Sequence, residues 1–110
     1  MRVWYGVRDL DRGREFYREL LGFEEQYVDW DARWARLERQ GMEIALVEGE
    51  RQDAGVAHLD VEDVKAERER LEAAGVEVGT VLELHGFLRL LDVYDPDGNR
   101  IQLAQELQAE

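Results

Sequence analysis

From Arg2 to Arg8 apolar and polar positions alternate with period two. Val3, Tyr5 and Val7 fall on one side and Arg2, Trp4 and Gly6 on the other. Such alternation predicts a half-buried strand. Directly after Asp9, a residue type favoured at helix N-caps, the period lengthens. Leu10, Phe16, Tyr17, Leu20 and Leu21 make an apolar stripe at helical spacing, with arginine and glutamate on the remaining positions. Gly22 suits a left-handed helix stop. Residues 23–30, 33–39 and 42–48 then read as three strands, parted by the short polar connections Asp31-Ala32 and Gln40-Gly41. The first half predicts βαβββ.

A polar stretch bracketed by glycine, GERQDAG at 49–55, interrupts the pattern, which then restarts. Residues 56–61 predict a strand with Ala57, Leu59 and Val61 on one face and Val56, His58 and Asp60 on the other. Asp63 caps a second helix over 64–74, stopped by Gly75, and strands are expected over 77–84, 87–94 and 99–105. Asp95-Pro96-Asp97-Gly98 closes the last hairpin, with proline setting φ and glycine accepting φ > 0. Three landmarks recur in order: Val7-x-Asp9 with Val61-x-Asp63, Gly22-Phe23 with Gly75-Val76, and Gly41-x-Glu43-Ile44-x-Leu46 with Gly98-x-Arg100-Ile101-x-Leu103. The expected fold is α+β: two tandem βαβββ modules, 1–48 and 56–110, joined by a linker at 49–55 within one domain.

Composition narrows the function. A chain of 110 residues has room for one domain with a core, not for separate catalytic and cofactor domains. The net charge of −12 repels phosphate backbones, and no basic patch offsets it, so nucleic-acid binding is not expected. No apolar run is long enough to span a membrane, and no secretory signal region is visible, so a cytoplasmic location is expected. The absence of cysteine excludes disulfides, thiolate metal sites and cysteine nucleophiles. No nucleophile elbow and no phosphate-cradling glycine loop is present.

The segments VRDLDRGREFYRELLGF (7–23), IALVE (44–48), VEDV (61–64) and YDPDGNRIQL (94–103) together resemble the vicinal oxygen chelate superfamily. This group includes glyoxalase I, extradiol dioxygenases, and fosfomycin and bleomycin resistance proteins. The resemblance implies a curled mixed sheet forming a cup, with helices outside and a ligand on the concave face. It also implies metal-ligand positions at Arg2, Ala45, Val56 and Gln102. Arginine has no free lone pair, alanine and valine have no donor atom, and glutamine offers a neutral carbonyl. A divalent ion needs several converging oxygen or imidazole donors, so neither a metal nor any other cofactor is expected. A relocated set of His58, Asp60 and Glu43 is the alternative.

With the modules arranged in this way, the concave face would carry Arg2, Trp4, Glu43, His58, Asp60, Arg100 and Gln102, the candidate ligand-binding residues. Glu43 and Arg100 hold equivalent repeat positions and are expected either to pair across the cup or to reach its rim. Trp30, Trp34, Phe87 and Tyr94 serve either as walls or as core and dimer contacts. His58 is the one catalytic candidate, as an acid or base. A small-molecule-binding protein of the bleomycin resistance type is expected, working as a homodimer. An enzyme with relocated ligands, or one using His58 alone, is the alternative.

Overall fold

The computed structural model describes residues 2–49 and 55–107, together with the backbone of Arg2 but not its side chain. The linker expected at 49–55 falls outside the described residues for 50–54. The first module runs β1 (Arg2–Val7), α1 (Leu10–Glu15), β2 (Glu24–Asp29), β3 (Trp34–Arg39) and β4 (Met42–Glu48). The second runs β5 (Ala57–Asp60), α2 (Val64–Ala73), β6 (Glu77–Val78), β7 (Leu82–Leu84), β8 (Leu88–Tyr94) and β9 (Arg100–Glu106). Each module makes one mixed sheet. The orders are β1-β4-β3-β2 and β5-β9-β8-β6, with β7 also on β8. In each sheet the first strand is parallel to the last, and the other pairings are antiparallel.

The helix ends follow the capping chemistry. Asp9 accepts from the Asp11 and Arg12 amides, and Asp63 accepts from Ala66. Gly22 and Gly75 adopt φ +69° and +85°, the left-handed stops that a side chain would resist. Two elements differ from expectation. The first helix changes after Glu15 into a π-helical turn, Phe16–Leu20, which carries Phe16 and Tyr17 into the core. The strand expected over 77–84 breaks in two. Glu77 and Val78 pair with Tyr94 and Val93, Gly79 still donates to the Asp92 carbonyl, and pairing resumes only at Leu82↔Leu90. Its counterpart β2 carries a bulge at Gln26, and bulges at sheet edges blunt edge-to-edge association.

The helix-facing residues form one continuous core across both modules, including Val3, Tyr5, Ile44, Leu59, Leu91 and Ile101. Tyr17 lies at its centre, stacked on Tyr5 at 6.1 Å and meeting Phe16 and Phe23 edge-on. Two tyrosine hydroxyls and one asparagine amide join the modules through this core. The Tyr5 hydroxyl donates to the Arg100 carbonyl and accepts from the Ala57 amide at 2.8 Å. The Tyr17 hydroxyl donates to Asp95 Oδ2 at 2.8 Å. Among the described residues Asp95 and Asn99 are the two buried polar ones, and the Asn99 side-chain amide donates to both Asp95 Oδ2 and the Gly6 carbonyl. The particle is elongated, 52 × 26 × 23 Å, and neither sheet closes on itself. The faces opposite the helices stay open.

Candidate functional site

Strand alternation decides what those open faces present. Across the first sheet, register places Trp4, Ala45, Arg36 and Tyr27 in one row. Trp4 is 51% exposed, and Tyr27 tilts onto Trp34 with ring centres 5.3 Å apart. Across the second sheet His58, Gln102 and Asp92 form one row, and Asp60, Ala104, Leu90 and Leu82 the next. Arg100 stands beside Tyr94. The exposed aromatic residues of the open face therefore lie on the first sheet, beside the Arg36–Glu43 pair, and the His58, Gln102 and Asp92 group lies on the second.

A cavity of about 500 Å³ opens at the seam, where the β3–β4 turn of the first module meets β5 and β9 of the second. Met42 and Val56 give it an apolar surface, and Gln40, His58, Arg100 and Gln102 supply the polar groups. His58 Nδ1 sits 3.3 Å from Gln102 Oε1, and Nε2 sits 3.5 Å from Asp60 Oδ1. Arg100 lies 3.5 Å from Asp92 Oδ2. Asp92 Oδ1 is buried without a hydrogen-bond partner among the described residues.

Of the candidates, then, His58, Arg100 and Gln102 come together, with Val56 beside them. Asp60 lines an adjoining cavity of about 670 Å³ on the other side of Gln40. Trp4 and Glu43 belong to the first sheet and do not line the seam cavity. The side chain of Arg2 lies outside the described residues. Pairing of Glu43 with Arg100 across the cup is not what the structure shows. Glu43 is 3.6 Å from Arg36 on the neighbouring strand, and Arg100 turns to Asp92, so each finds an opposite charge within its own sheet. Trp30 is no cup wall, because the guanidinium of Arg14 covers its ring at 4.7 Å and that of Arg33 lies at 5.9 Å. Arg14 is fixed by a two-pronged bond to Glu25, which holds that carboxyl below its ordinary range. Phe87 is 62% exposed beside the β7–β8 turn.

Gln40 and Met42 are cavity residues that the sequence pattern passed over as a connection and the start of a strand. One signal was available. Gln40-Gly41 closes a hairpin in two residues with φ +54° and +80°, a mirror-image turn that favours asparagine or glycine in its first place. A glutamine held there is unusual.

A model of the Glyoxalase/Bleomycin resistance protein/Dioxygenase superfamily matches residues 2–103. The chain belongs to this superfamily. Among solved structures it is similar to an integron cassette protein from the mobile metagenome of Halifax Harbour Sewage Outfall. That match has 26% identity, a TM-score of 0.82 and 96% coverage of both chains. It is also similar to TnmS3, an antibiotic binding protein from Streptomyces sp. CB03234, at 26% identity and TM-score 0.74, covering 96% of this chain and 93% of that one. The fosfomycin resistance protein FosX from Listeria monocytogenes shares the fold at 22% identity and TM-score 0.80, covering 96% and 89%. No curated protein gives a significant match.

The superfamily's metal positions do not fit a metal here. Ala45 and Val56 have no donor atom, and Gln102 Oε1 already faces His58. The relocated set is not assembled either. Glu43 is drawn to Arg36, and among the described residues no three His, Asp or Glu side chains are grouped to hold an ion. No helix among the described residues is long and apolar enough to cross a membrane.

Proposed function

We propose that this superfamily member binds a small molecule without a resident metal and holds it rather than transforming it. One observation carries this reading. A cavity of ligand size is kept at the module seam, while two of the positions that would ligate a metal, Ala45 and Val56, have no donor atom and Gln102 offers only a neutral carbonyl. Similarity to an antibiotic binding protein at 26% identity supports it. The lack of cysteine is in keeping with action in the cytoplasm.

The test has two readings. Isothermal titration with a panel of small molecules is expected to give saturable binding that weakens on His58→Ala. Elemental analysis of protein grown with zinc, manganese and nickel is expected to find no stoichiometric metal. A bound metal lost on His58→Ala would overturn the metal-free assignment. Turnover abolished by the same change would favour the alternative, His58 as acid or base, whose support is the contact of its two ring nitrogens with Gln102 and Asp60.

The working unit we infer is a homodimer. Each sheet leaves a separate apolar patch on its open face, Trp4 and Tyr27 on the first, Leu82 and Leu84 on the second with Phe87 at the adjoining turn. A two-fold pair lets the patch of one module cover that of the other module in the partner, twice over. Sedimentation is expected to give a dimer, and Leu82→Glu combined with Phe87→Glu a folded monomer. A wild-type monomer at all concentrations would remove the dimer.

A further inference from the structure

The lining of the seam cavity departs from the character of the chain. The protein has a net charge of −12, yet none of the described residues lining this cavity carries a carboxylate; Asp60 and Asp92 stand behind His58 and Arg100. The contrast is sharp across Gln40, where the adjoining cavity carries Asp60, Glu62, Asp63 and Glu67. The two arginines of that neighbour are already engaged. Arg39 donates to the Leu21 carbonyl at 2.7 Å, and Arg70 donates to the Leu20 carbonyl and to Glu67.

Arg100 is different. Among the described residues its ion-pair partner is Asp92 at 3.5 Å, with both side chains partly exposed, and a pair in that setting is weak. Its backbone is fixed, since the Arg100 carbonyl accepts from the buried Tyr5 hydroxyl and its strand pairs with Tyr94. The guanidinium is thus a forked set of donors on a rigid strand, beside the His58 ring and the Gln102 amide, above the apolar surface of Met42 and Val56.

We propose that the ligand is an organic acid: an oxyanion received by Arg100, with a compact apolar body against Met42 and Val56. This deepens, and rests on, the small-molecule reading above. Anion selection comes from the lining, against the overall field of an acidic protein. Asp92 is the internal competitor that an incoming oxyanion displaces from Arg100.

Amide NMR titration of the full chain with phenylacetate, 2-phenylethanol and 2-phenylethylamine tests it. Phenylacetate is expected to shift the Gln40, Gly41, His58 and Gln102 signals saturably and to bind about tenfold more tightly than the alcohol, the scale of one charge-assisted hydrogen bond, with the amine weakest. Arg100→Gln should cost the acid about tenfold and so erase its advantage, while the uncharged alcohol loses much less. Asp92→Asn, which releases the guanidinium, should tighten the acid and leave the alcohol unchanged. A purely structural role for Arg100 would not produce that opposite pair of effects. If the alcohol binds and the acid has no advantage, or keeps its advantage in Arg100→Gln, the organic-acid assignment fails while the small-molecule reading stands. If none of the three moves the cavity signals at millimolar concentration, the small-molecule reading fails and this assignment with it.

Discussion

Replacing Asp95 with alanine is expected to cost roughly 3–5 kcal/mol of folding stability, a large share of the ~5–15 kcal/mol of a typical domain. The carboxylate accepts four hydrogen bonds, from the Tyr17 hydroxyl, the Asn99 side-chain amide, and the backbone amides of Asp97 and Asn99. It is only 4% exposed, so water cannot readily take its place. Each orphaned buried donor costs about 1–3 kcal/mol, and partial relaxation keeps the total below their sum. At about 4 °C per kcal/mol for a chain of this size, the melting temperature should fall by roughly 12–20 °C. Tyr17→Phe should cost only about 1 kcal/mol, because Asn99 still serves Asp95 Oδ2. Chemical denaturation of both variants and the double variant gives the coupling. A loss below about 1 kcal/mol for Asp95→Ala would mean that the modules do not depend on this contact.

Alkaline pH should open the same seam. Burial pushes the Tyr5 phenol up to about 12, against the Ala57 amide, whose hydrogen bond to the oxygen favours the phenolate. Tyr17 is also raised well above the ordinary phenol range, again first by burial and then by the charge of Asp95. A phenol with a higher pKa folded than unfolded holds its proton more tightly in the native state. Its contribution is therefore complete below pH 10 and is lost as pH climbs from 10 through about 12. For Tyr5 the rise from 10 to about 12 corresponds to roughly 3 kcal/mol. Denaturation midpoints measured between pH 8 and pH 12 are expected to stay level and then fall steeply. Tyr5→Phe lowers stability at neutral pH but should flatten that fall. An equally steep fall in Tyr5→Phe would place the alkaline sensitivity elsewhere.

Local rules carried much of the architecture. The caps at Asp9 and Asp63 and the left-handed stops at Gly22 and Gly75 are short-range chemistry, and each is where the pattern puts it. The inward set from Val3 to Leu103 follows from period-two alternation, which a strand cannot violate without exposing its core face. What escaped were features set by partners distant in sequence. Asp95 reads as a turn residue, since aspartate before proline and glycine has a sufficient local explanation. Its burial under Tyr17 depends on how two modules meet, 78 positions apart. The π turn is a tertiary adjustment of the same kind, bringing Tyr17 into that contact. In the site, His58, Arg100 and Gln102 were legible as members of one concave face, whereas the adjacency of their strands came from the sheet order. Gln40 and Met42 were not, because they reach the cavity only through the seam. Of the two alternatives for Glu43 and Arg100, pairing across the cup is not seen, since Arg36 and Asp92 offer each an opposite charge within its own sheet.

The two final hairpins differ in a way that bears on how a duplicated unit becomes a single body. In the first module Arg39 pairs with Met42, leaving two residues in the turn, whereas in the second Tyr94 pairs with Arg100, leaving residues 95–99. That longer loop contains Asp95, which receives Tyr17, and Asn99, which reaches the Gly6 carbonyl. Asp97 adds a bond from the Arg8 amide at 3.0 Å. All three contacts end on the other copy. The residues in which the second copy is not a copy are thus the ones that clasp the first, and two identical halves would lack the clasp. Shortening 95–99 to a two-residue turn would restore the symmetry of the repeat and remove these three contacts, leaving the Tyr5 hydroxyl and the shared core to hold the halves together.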